Sequence, residues 1–283
     1  MTVINTNVSS LINQAALNRN AKGLQDTMEQ LSTGRRINSA ADDAAGLGIT
    51  NRMTAQIQGL KQALRNANDG ISLIQTAEGS TNEITAMLQR MRELSVQSLN
   101  DTYSDSDRES MDAEYQQLVL EIQRIAKTTK WSDYAILNDP LEPTGKTFTF
   151  KVGADDSDES TISITFSNFN PEDADSVTNE IYSTNISTTD DANLTLTAID
   201  NVINEINSER ATMGAKINRI EFAVNNLTNI ITHLSESRSR IEDVDYSEAT
   251  SELARRQIIQ QAATAMLAQA NQSPQTVLQL LKQ

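Results

Sequence analysis

Residues 53–74 read MTAQIQGLKQALRNANDGISLI, and the spacing of their apolar side chains decides the fold class. From Met53, the residues Ile57, Leu60, Leu64, Ala67, Ile71 and Ile74 follow alternating steps of four and three. That spacing repeats every 3.5 residues and keeps one face of a helix apolar, as in helices packed side by side along a heptad seam.

The same pattern recurs outward from this stretch. A second seam runs through Ile84, Met87, Met91 and Leu94, and its change of phase near Glu78 and Gly79 predicts a discontinuity there. A third tract begins at Ser106, where a capping box with Glu109 is expected, and continues through Met111, Tyr115, Leu118, Ile122 and Ile125. The fourth is the longest, from Leu196 through Ile206, Met213, Ile220 and Leu227 to Ile241, a rod of about 70 Å at 1.5 Å per residue. Two of its seam positions are Arg210 and Arg238, whose heads should reach the bundle edge or pair with acidic neighbours.

The ends differ in kind. Leu17, Leu24 and Leu31 recur every seven residues with Ala21 and Met28 between them, and Ile259, Ala263, Met266 and Ala270 alternate similarly near the C-terminus. After Pro274 the apolar pattern resumes at Leu278 and Leu281, which predicts two helical pieces meeting near Ser273, with Pro274 in the first turn of a new short helix. Chain ends are loosely held unless something ties them down, so an apolar stripe there implies a partner.

Composition agrees with long helices. Of 283 residues, 38% are hydrophobic and 4% aromatic, with 10 Gly and 4 Pro, too few turn formers for a round globule. A net charge of −15 repels nucleic acid and anionic lipid alike, and nothing approaches the roughly 20 apolar residues of a membrane span. There is no Cys, and the first 18 residues lack the basic start of a cleaved secretory signal.

Residues 140–190 hold three of the prolines and four of the five Phe. Here TFTFKV (Thr147–Val152) and TISITF (Thr161–Phe166) alternate like strands around ADDSDES, which predicts a β-hairpin followed by a return rich in Ser, Thr, Asn and Asp. The fold class expected is therefore mainly α, an elongated bundle or coiled-coil rod with a small β-hairpin region.

Candidate chemistry is sparse. The chain has no phosphate-binding glycine loop, HExxH or GxSxG, and its single His, His233, lies beside a seam residue as helix surface. ADDSDE lacks the regular spacing and glycine of a calcium loop. Neither an enzyme nor a cofactor is expected. In LQRMRELSVQS (Leu88–Ser98), Met91 and Leu94 mark the buried side, leaving Gln89, Arg90 and Glu93 nearer the surface.

Four stretches together resemble bacterial flagellins: LSTGRRINSAADDAAGLGI (Leu31–Ile49), LQRMRELSVQS, SRIEDVDY (Ser239–Tyr246) and LAQANQSPQTVLQLL (Leu267–Leu281). They occur in the family's order at both ends, over roughly residues 1–140 and 192–283, and KVGADDSDESTISI is similar to a weaker central motif. The resemblance implies residues 1–40 and 250–283 as paired helices of the inner filament core, 41–139 and 191–249 as a rod-like domain, and 140–190 as its hairpin region. With about 50 residues between the halves, it implies a minimal form without separate outer domains.

The function so implied is that of a subunit polymerising into the flagellar filament for motility, secreted without a cleaved signal and helped by an export chaperone and a filament cap. Core packing falls to Leu17, Leu24, Met28, Leu31, Ile259, Ala263, Met266, Leu278 and Leu281. The resemblance also implies recognition by the host flagellin-sensing Toll-like receptor, through Gln89, Arg90, Glu93 and Leu94 with Glu114 on the next helix. The rival reading is a hook-associated protein of the hook–filament junction, which shares the paired helical ends. A generic coiled-coil adhesin accounts for the seams but not for the ordered motifs.

Overall fold

A computed structural model of the chain describes residues 6–138, 145–155 and 157–280, the side chains at 158 and 273–280 excepted. It contains five long helices, α1 (Val8–Thr33), α2 (Ala44–Ser98), α3 (Asp105–Thr128), α4 (Thr189–Glu242) and α5 (Tyr246–Leu280). Two small antiparallel sheets lie between α3 and α4: β1 (Lys130–Trp131) with β2 (Tyr134–Ala135), and β3 (Lys146–Lys151) with β4 (Thr161–Phe166). Of the described residues 74% are helical, and the mainly α class is the one the heptads require. It divides into two compact units, Met1–Ile57 with Thr232–Gln283, and Gln58–Ile231. The first takes in more of α2 and α4 than segments 1–40 and 250–283 alone.

Side-chain caps mark where helices begin, because the first four N–H groups of a helix have no partner within it. Asn7 caps α1 by accepting from the Ser10 N–H, and Asp43 accepts from the Gly46 N–H at 2.8 Å at the start of α2. Thr188 and Asp191 exchange bonds ahead of α4, and Asp245 accepts from the Ser247 N–H before α5. For α3 the box expected at Ser106 and Glu109 is formed one half-turn earlier by Ser104 and Asp107. Ser104 has the extended backbone a cap needs, whereas Ser106 is already helical. The Ser104 hydroxyl and N–H hold the Asp107 carboxyl below its usual pKa.

In the second unit α2, α3 and α4 share one core. The discontinuity expected in α2 is absent, since the helix is continuous through Glu78 and Gly79. Its buried positions from Ala63 run Ala67, Gly70, Ile74, Ala77, Thr81, Ile84, Leu88 and Met91, an unbroken alternation of four and three. Half of these are small or polar, so a search for large apolar residues sees a slip that the helix does not make. Against them pack Met111, Tyr115, Val119 and Ile122 of α3 and Ile199, Val202, Ile206 and Met213 of α4. Arg210 keeps its seam position by turning its guanidinium to within 3.9 Å of Glu78. In the first unit Arg238 reaches Thr54 and lies 3.8 Å from Glu242. Arg108, almost buried, donates to the carbonyls of Ser98 and Asn100, placing a cation on the C-terminal end of α2.

The β3–β4 hairpin turns Phe148, Phe150, Ile162, Ile164 and Phe166 toward this core. Its outer face is tied by Thr147–Thr165 and Thr149–Ser163 hydroxyl pairs at 2.9 and 3.2 Å. At Gly70 a Cβ would lie 3.2 Å from the Phe150 ring, which explains a glycine inside α2. The polar return is held at Thr184–Ile186. Tyr115 Oη pairs with Thr184 Oγ1 at 2.7 Å, Asp112 accepts from the Ile186 N–H, and Ser98 Oγ donates to the Ile186 carbonyl.

Candidate interaction surfaces

The first surface is the terminal helix pair of the first unit. On α1 the partly or fully buried positions include Asn13, Leu17, Asn20, Leu24, Thr27 and Leu31; on α5 they include Ala249, Leu253, Arg256, Gln260, Ala263, Leu267 and Ala270. Both sets repeat every 3.5 residues, and α1 packs along α5. Asn20 Nδ2 donates to the Arg256 carbonyl at 2.9 Å, and Gly23 lets the Arg256 guanidinium cross where a Cβ would collide with it. Of the residues assigned to core packing, Leu17, Leu24, Leu31 and Ala263 lie on this intrachain seam. Met28, Ile259 and Met266 are exposed, as are Val8, Leu11, Ile12 and Ile258. The Leu278 side chain and the whole of Leu281 lie outside the described residues.

At one end of the pair, two of the sequence motifs meet. Gly34 ends α1 in the left-handed region at φ 73°, which a glycine adopts without strain. The following Arg35 and Arg36 lie antiparallel to Glu242–Val244, with the Arg36 N–H on the Glu242 carbonyl and the Val244 N–H on the Gly34 carbonyl. Arg35 pairs with Glu242 at 3.1 Å, and the Arg36 guanidinium donates to the Ile241 carbonyl. LSTGRR and SRIEDVDY thus form a clasp, a pairing that neither motif announces in sequence. Alongside it, Asp42 accepts from the N–H groups of Ser39 and Asn38, which holds its carboxyl below the usual range.

The second surface lies in the other unit, on α2 and α3. Arg90 bridges the helices, with Nη2 2.8 Å from Glu114 and Nη1 3.2 Å from Glu93. Glu114 first, then Glu93, raises the guanidinium pKa further. Gln89 is exposed beside them. Leu94 is placed differently: only 2% exposed, it supports the patch from the core and offers no surface to a partner. The structure adds Arg92, paired with Asp200 of α4 at 2.7 Å, and an exposed Val96. With Gln89, Glu93 and Gln97 these line an open groove of about 530 Å³. The acidic partner of Arg92 is 108 residues away, a pairing that spacing within one helix does not reveal.

No described helix is long and apolar enough to cross a membrane, and among the described residues no three His, Cys, Asp or Glu gather as metal ligands. Residues 4–140 match the bacterial flagellin N-terminal helical region, and residues 196–281 the C-terminal one. A flagellin of Halalkalibacterium halodurans is 41% identical over 99% of this chain and all of its own length. One of Bacillus subtilis is 39% identical over 99% of both. Among solved structures, a putative flagellar hook-associated protein from Vibrio parahaemolyticus superposes with a TM-score of 0.58 over 71% of this chain and 100% of its own, at 14% identity, a likeness of fold alone. The two matched family regions and these flagellin relatives show that the chain belongs to the bacterial flagellin family, structural subunits of the flagellar filament rather than enzymes, in a small form with no outer domain evident.

Proposed function

We propose that, beyond its structural role in the filament, this flagellin is an agonist of the host flagellin-sensing Toll-like receptor. The observation that carries the reading is the Arg90 bridge to Glu93 and Glu114, which arrays charged heads from two helices on one exposed face. Gln89, Arg90, Glu93 and Glu114 form the contact surface, with Leu94 fixing the backbone beneath. A cell reporter expressing the receptor tests it: Arg90→Ala should lower the response at equal protein concentration, and equal responses from variant and parent would sink the assignment.

For assembly, the terminal pair contributes to the inner core of the filament, and the helices and hairpin of residues 41–249 form a rod-like domain. Exposed Met28, Ile259 and Met266 then meet neighbouring subunits, while Leu17, Leu24, Leu31 and Ala263 hold the pair together. An export chaperone and a filament cap handle the subunit before and during growth, and export proceeds without a cleaved signal, readings that rest on family membership. The fold is shared with a hook-associated protein, so electron microscopy of purified chain separates the roles. Long filaments support a shaft subunit, and short or absent polymers support the junction.

A further inference from the structure

The break expected near Ser273 does not occur: α5 continues to Leu280 with Pro274 inside it. A proline within a helix has no N–H for the carbonyl four residues earlier, here that of Ala270. At the opposite end of the chain, Asn7 Nδ2 donates to the Ala270 carbonyl at 2.7 Å. The same amide caps α1, its Oδ1 accepting from the Ser10 N–H at 3.1 Å, and Ser10 Oγ donates to Asn271 Oδ1 at 2.7 Å.

We infer that Asn7 is a positioning residue for filament assembly, replacing the hydrogen bond that Pro274 removes and thereby fixing the register of α1 on α5. One amide serves two helix defects at once, the open first turn of α1 and the orphaned carbonyl of α5. The geometry explains why α5 passes its proline without ending. It also makes the proline a register mark, because only at Ala270 does α5 offer an interior carbonyl whose usual donor is missing.

Asn7→Ser in the full chain keeps a good cap but is too short to reach Ala270. Read as the critical concentration for polymerisation, its cost should be about fivefold, the net worth of one neutral hydrogen bond. Pro274→Ala restores the N–H at 274, so adding Asn7→Ser to that variant should change the critical concentration less than twofold. The same fivefold loss in both backgrounds, or none in the parent, would overturn the assignment. In parent filaments, solid-state NMR should show an Asn7 Nδ2 to Ala270 carbonyl contact, and its absence would overturn it without any substitution.

Discussion

The bundle of residues 58–231 and the terminal pair α1–α5 are built on the same 3.5-residue repeat and differ in what they place on it. The bundle fills its seams with Ile84, Leu88, Met91, Tyr115, Ile122, Ile199 and Ile206, each fully buried. In the pair the seam alternates Leu17, Leu24, Leu31, Leu253 and Leu267, all only half-buried, with Asn13, Asn20, Thr27, Gln260 and Ala263, and Thr27 is the one buried residue of α1. A buried CH₂ stabilises by about 0.8 kcal/mol, so the second set gives two helices little reason to stay together alone. The pair also leaves Val8, Leu11, Ile12, Ile258 and Met266 to solvent. Identical periodicity therefore yields a well-filled core in one unit and a thinly filled seam in the other, which the reading proposed above makes an interface for further copies.

The largest effect that would break this comparison is deletion of Leu267–Gln283. Filaments should vanish under the electron microscope, while circular dichroism keeps the helicity of the bundle. Normal filaments from the truncated chain would remove the need for the pair.

Next in size, Ile84→Ala should cost the monomer about 2–5 kcal/mol, as large-to-small changes in packed cores do. Ile258→Ala, at a site 66% exposed, should shift monomer stability by less than about 0.5 kcal/mol yet weaken polymerisation. Chemical denaturation and a sedimentation assay read the two quantities separately.

Much of this contrast is legible in the sequence, and the misreadings have physical causes. Large apolar residues located all the long helices, but Ala77 and Thr81 hid the continuity of α2 because small seam residues carry no hydrophobic signal. The β1–β2 hairpin is not legible because each strand has two residues and its turn needs Ser132 as well as Asp133 at positive φ, a conformation that Asp tolerates but Ser rarely adopts. Pro274 read as a break because its compensating donor lies at the other end of the chain. The helical period alone places Gln89, Arg90 and Glu93 outward, and the same period places Leu94 inward. The clasp and the Arg92–Asp200 pair needed the fold, since their members are far apart in sequence.

A smaller effect sharpens the account of the bundle. Burial pushes the Tyr115 phenol up to about 12, against a partial opposing effect of its bond to Thr184. A folded pKa above the unfolded value near 10 means the contribution is fully present below pH 10 and is lost as pH rises through 12, up to about 2–3 kcal/mol. Tyr115→Phe should flatten the fall in stability over that window while losing about 1 kcal/mol at neutral pH. An unchanged alkaline slope would assign the loss to other groups. Smallest, Gly79→Ala should stabilise the bundle by about 0.5–1 kcal/mol, because the helix is unbroken there and a Cβ meets nothing within 4 Å. A loss on thermal melting would mean that α2 does bend at this point.

The difference between the two units is tested most directly by amide hydrogen exchange on the same protein as monomer and as filament. Amides of α1 and α5 should exchange rapidly in the monomer and become strongly protected on assembly, while those of α2 and α3 around Ile84 and Ile122 are protected in both. Equal, strong protection of α1 and α5 in the free monomer would contradict the claim that this pair depends on neighbouring copies.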